Sequence, residues 1–60
     1  MEAEYNIEAM AEKIRLMRRV ATELKGIAGG IPAVEKNVDR ILASVRVLEI
    51  NISDLGQIEA

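Results

Sequence analysis

Apolar residues return at alternating steps of three and four along two stretches of this chain. The first is Ile7, Met10, Ile14, Met17, Ala21, Leu24 and Ala28. That spacing keeps one stripe of a helix apolar, the a/d pattern of a coiled-coil seam. The residues between are mostly Ala, Glu, Lys and Arg, all good helix formers. The second is Ile31, Val34, Val38, Ile41, Val45, Leu48, Ile52 and Leu55. The pattern therefore predicts an all-α chain of two helices, about residues 5–28 and 32–55.

The helix ends carry their own signals. Asn6 suits an N-cap, and Tyr5 before it and Met10 after it suit a hydrophobic staple; a start one turn earlier, at Glu2 or Ala3, is the alternative. Pro32 suits the first helical position, where no backbone N–H is needed. Glu35 and Asp39 place negative charge toward the positive end of the second helix dipole. Gly56 follows the last seam residue and predicts the stop.

The two heptads are out of phase. Continued past Ala28, the first would place Glu35 and Glu49 in the seam and push Ile41 and Leu48 out of it. The break falls in GIAGGIPAV, Gly26–Val34, which holds three of the four glycines and the only proline. Gly29 or Gly30 can take positive φ and Pro32 restarts the helix, so a turn at 29–31 is predicted within one domain spanning 1–60. Folding there pairs Ala28 with Val34, Leu24 with Val38, Ala21 with Ile41 and Met17 with Val45. The layers continue with Ile14 and Leu48, Met10 and Ile52, and Ile7 and Leu55. Lys25 is expected beside Glu35. A competing reading takes 44–53, SVRVLEINIS, as a strand, because it is rich in β-branched residues; its alternation slips at Leu48 while the heptad does not.

Composition adds a constraint. Sixty residues make at most one domain, and a chain this short buries too little surface to be more than marginally stable alone. There is no cysteine to form disulfides, no histidine for the common zinc sites, and one aromatic, Tyr5. Self-association or a partner protein is the stabiliser left. The expected assembly is a homo-oligomeric helical bundle, most simply a dimeric four-helix bundle. Apolar residues outside the seam agree: Leu16, Val20 and Ile27 on the first helix, and Leu42, Ala43, Val47 and Ile50 on the second. Contiguous apolar patches of this kind mark interfaces, and Ala43, Val47 and Ile50 form a stripe that would allow a tetramer.

Chemistry-bearing motifs are few. The glycines lack the Lys and hydroxyl of a phosphate loop and follow a helix rather than a strand. Arg15, Arg18 and Arg19 share a helix face, and Glu12 to Gly26 holds five basic against two acidic residues. This patch is the basis of the alternative function, a small nucleic-acid-associated regulator. No aromatic lies nearby to stack on bases, and the net charge is −2. Glu4, Glu8 and Glu12 form an acidic row that repels itself and frays the first turn; without histidine it is not expected to hold a metal. Thr22, Ser44 and Ser53 have no histidine base, so no catalytic constellation is expected, and no cofactor. A site at an oligomer interface, lined by Glu or Arg of two chains, would be the exception. The longest uncharged run, Gly26–Val34, is far short of a membrane span. The acidic start lacks the features of a signal peptide, so a cytoplasmic location is expected. The sequence thus favours a non-catalytic interaction or assembly module that binds copies of itself or a partner helix.

Overall fold

The computed structural model describes residues 5–59, with side-chain surroundings described through Leu55. Two helices account for nearly all of this span: α1, Ile7–Ile27, and α2, Pro32–Glu59. They pack against each other, and the described residues contain no strand. The stretch 44–53 is helical throughout. Its heptad, which buries one side against α1, outweighs the strand propensity of its β-branched residues.

Local chemistry explains the ends. The Asn6 side chain accepts a hydrogen bond from the backbone N–H of Ala9 at 2.9 Å, and its carbonyl accepts from Met10 N at 3.0 Å. α1 therefore starts immediately after this cap rather than at residue 5; Glu2 and Ala3 lie outside the described residues. At the other end Ala28 N donates to the Lys25 carbonyl and Ile31 N to the Ala28 carbonyl, both at 3.3 Å. Between them Gly29 and Gly30 take φ of +66° and +79°. Both need the left-handed region, so a Cβ at either position would be strained. Pro32 is the first residue of α2, and Glu35 N donates to the Ile31 carbonyl at 3.0 Å to close the first turn.

Gly56 does not end the second helix. α2 runs through it to Glu59, four residues past the predicted stop at Leu55. A glycine inside a helix costs only about 1 kcal/mol relative to alanine, and it terminates a helix when the backbone turns left-handed. Among the described glycines only Gly29 and Gly30 do so.

The four-residue connection makes the helices antiparallel neighbours. Two cross-links set the direction: Arg18 meets Glu49 and Lys25 meets Asp39, so numbers rise along α1 as they fall along α2. The hairpin measures 44 × 19 × 17 Å with a radius of gyration of 14.3 Å. A compact chain of this length would have about 10 Å. The elongation has a cost in burial. Among the described residues only Ile14, Ala21, Ala28, Val38 and Val45 are buried.

Candidate interaction surface

Buried positions recur every seven residues, Ile14, Ala21 and Ala28 on α1 and Val38 and Val45 on α2. Ile7, Met10, Val34, Ile52 and Leu55 are half-buried. The other members of the predicted seam are not covered. Met17, Leu24, Ile41 and Leu48 stay 43%, 42%, 47% and 39% exposed. The expectation that all fourteen seam residues meet between the two helices is therefore corrected: the hairpin closes on one edge of the a/d stripe. The residues that flank this edge on its other side are Ala11, Arg18, Glu35, Leu42 and Glu49, all half-buried.

Two ion pairs cross the helix junction on this edge. Arg18 Nε donates to Glu49 Oε2 at 2.7 Å and Nη2 donates to Oε1 at 2.9 Å, a two-pronged pair across the helix junction. Lys25 Nζ donates to Asp39 Oδ1 at 2.7 Å, not to Glu35 as the layer pairing predicts. Ala21 and Ala28 are the small buried residues of α1 at this junction. The hydrogen bond from Arg18 holds the Glu49 carboxyl below its ordinary range, with smaller contributions from the charges of Arg18 and Arg46. The bond to Asp39 raises Lys25, aided by the more distant Glu35.

Helix geometry then sorts the remaining side chains onto two flanks. Each residue advances about 100° around its helix. The two helices are antiparallel, so residues with the same offset from the buried edge fall on the same side of the hairpin. One flank carries the ion pairs. It also holds Arg15 of α1 and Arg46 of α2, while Arg19 lies on the outer side of α1. The opposite flank carries Met10, Met17, Val20, Leu24 and Ile27 of α1 with Val34, Ile41, Leu48 and Leu55 of α2. Its other polar positions are Lys13, Asn37, Ser44 and Asn51, so Lys13 is the one charge on it among the described residues. An apolar groove of about 480 Å³ opens here, lined by Tyr5, Met10, Met17, Leu48 and Ile52, with Lys13 at its edge. Tyr5 and Met10, the predicted staple, share this groove.

Every predicted interface residue can be placed on this frame. Val20 and Ile27 lie on the apolar flank, and Ile27 is 80% exposed. Leu16 is exposed on the outer side of α1, turned away from α2, at the same offset from the buried edge as Val47 on α2. Leu42 is half-buried at the helix junction and leaves little surface to offer. Ala43, Val47 and Ile50 are exposed on the back of α2, where Arg40 and Asp54 lie among them. Of the anion patch, Arg18 is committed to Glu49, while Arg15 and Arg19 are exposed. Glu8, Glu12 and Arg15 share a shallow polar depression on α1; Glu4 lies outside the described residues. Among the described residues no group of acidic side chains is placed to hold a metal ion, and no helix is long and apolar enough to cross a membrane.

Compared with known protein families, with curated proteins and with solved structures, the chain matches none.

Proposed function

We propose that the protein is a non-catalytic assembly module whose apolar flank binds a second copy of the chain. The observation that carries this reading is the segregation of charge. One flank of the hairpin holds both cross-helix ion pairs, and the other holds a row of exposed aliphatic side chains beside a single lysine. A helix with one neighbour needs one apolar stripe. A helix in a four-helix bundle has two neighbours and needs a wider one. Each helix here has the wider stripe and uses only part of it within the hairpin.

The exposed area supports the same reading. A compact protein of 6.6 kDa is expected to expose about 3,900 Å². The hairpin exposes 4826 Å². The surplus is of the same order as the ~800 Å² that each partner buries in a standard stable interface. The absence of cysteine and histidine from the sequence favours a binding role over chemistry.

Sedimentation equilibrium from micromolar to millimolar protein tests the proposal. It predicts reversible association to twice the chain mass of 6.6 kDa. A helical species that stays at the chain mass throughout would overturn it, and a flank occupied only by a different helical protein would show as that monomer.

A further inference from the structure

The rims of the apolar flank differ between the helices, and the difference selects one way for two copies to meet. On α1 the rim residues are Lys13, Val20 and Ile27; on α2 they are Asn37, Ser44 and Asn51. Both rows repeat every seven residues and all six side chains are exposed. They stand just outside the rows of Met17 and Leu24 and of Ile41 and Leu48, so a hairpin stacked on this flank meets them first.

Heights along the hairpin follow from the two ion pairs. Arg18 lies opposite Glu49 and Lys25 opposite Asp39, which sets Val20 level with the turn of α2 that contains Ser44. By the heptad, Lys13 is then level with Asn51 and Ile27 with Asn37.

Two symmetric stackings are possible. With the two-fold axis parallel to the helices, α1 lies on α2 of the second copy. Val20 then faces Ser44, Ile27 faces Asn37 and Lys13 faces Asn51, so each contact sets an aliphatic or charged side chain against a neutral polar one. Asn37 facing Ile27 loses hydrogen bonds to water and gains none. With the axis perpendicular to the helices, α1 lies on α1 and α2 on α2. Val20 then meets Val20 of the second copy, Ser44 meets Ser44, and Asn37 meets Asn51, amide to amide. Lys13 runs its aliphatic stem past Ile27 of the second copy, with Glu23 of that copy about one helical turn away to receive the ammonium. The charged flanks stay in water in both copies.

Resting on the self-association reading above, we propose that two copies stack about a two-fold axis perpendicular to the helices, α1 on α1 and α2 on α2, with Asn37, Ser44 and Asn51 fixing that orientation. Neutral polar residues inside an otherwise aliphatic interface set orientation in helical bundles because wrong pairings leave them unsatisfied.

The chain has no cysteine, so single cysteines report proximity without background. Val20→Cys and Ser44→Cys are made in the full chain, with Thr22→Cys on the ion-paired flank as the control for random collision. Circular dichroism verifies folding and sedimentation verifies mass for each. Under mild oxidation V20C alone and S44C alone are each expected to form disulfide dimers, at least tenfold faster than T22C. An equimolar V20C and S44C mixture is expected to give almost no mixed disulfide. Fast cross-linking only in the mixture, or dimers by mass in which neither single variant outpaces T22C, would overturn the orientation while leaving self-association intact. A monomeric mass with no cross-linking would overturn both.

Discussion

Replacing Leu24 and Leu48 together by glutamine tests the part of the apolar flank that the hairpin leaves open. Glutamine matches leucine in helix propensity, so the helices themselves are unaffected by the change. In the hairpin Leu24 is 42% and Leu48 39% exposed. Full burial of a leucine side chain is worth ~2 kcal/mol, so covering the exposed two-fifths contributes ~0.8 kcal/mol per side chain. Two residues on each of two chains make ~3 kcal/mol, which is roughly a hundredfold in dissociation constant. The control is Val47→Gln with Ile50→Gln. Those residues are 56% and 48% exposed, the same chemistry on the back of α2. Sedimentation equilibrium of the three proteins at one salt concentration gives the constants directly. The expected result is a dimer weakened about a hundredfold by the first pair and by less than about threefold by the second. Equal weakening by both pairs, or weakening by the back pair alone, would refute the assignment of the interface to the groove side.

Four further outcomes follow from particular residues. Val38→Ala and Val45→Ala each remove two buried carbons from side chains that are 1% and 2% exposed, and each is expected to destabilise the fold by ~2 kcal/mol in urea melts. Gly26 lies inside α1 with no neighbouring atom within 4 Å of a Cβ built there, so Gly26→Ala is expected to stabilise by ~0.5–1 kcal/mol; Gly29→Ala, at φ +66°, is expected to destabilise by ~1–2 kcal/mol. Asn6→Ala removes the cap on Ala9 N and is expected to cost ~1 kcal/mol. Glu49 has a carboxyl held below its ordinary range by Arg18, so its pair contributes above the unfolded-state value and is lost as pH falls through the depressed folded value; thermal melts of Glu49→Gln should therefore show a smaller loss of stability than the parent between neutral pH and strong acid.

Much of the fold could be read from the chain because its signals are local. The 3/4 spacing, Asn6, the paired glycines and Pro32 each act within a turn or two, and each occupies its expected place. The helix pairing was legible only in part, because a heptad identifies a stripe and not which edge of it a neighbour covers. That choice rests on side chains outside the stripe. Arg18 and Lys25 on α1 stand seven residues apart, and their ion pairs with Glu49 and Asp39 of α2 lie on the side where the hairpin closes. Met17, Leu24, Ile41 and Leu48 stay partly exposed on the opposite side. The missed stop at Gly56 has a different origin. Glycine permits a left-handed end without requiring one, and α2 continues to Glu59.

The most direct test of the central proposal is an isotope-filtered NOE experiment on a mixture of labelled and unlabelled chains, which records only contacts between copies. The account predicts intermolecular NOEs from the methyl groups of Met17, Val20, Leu24, Ile41 and Leu48, and none from Val47 or Ile50. Intermolecular NOEs confined to Val47 and Ile50, or none at millimolar protein, would contradict it.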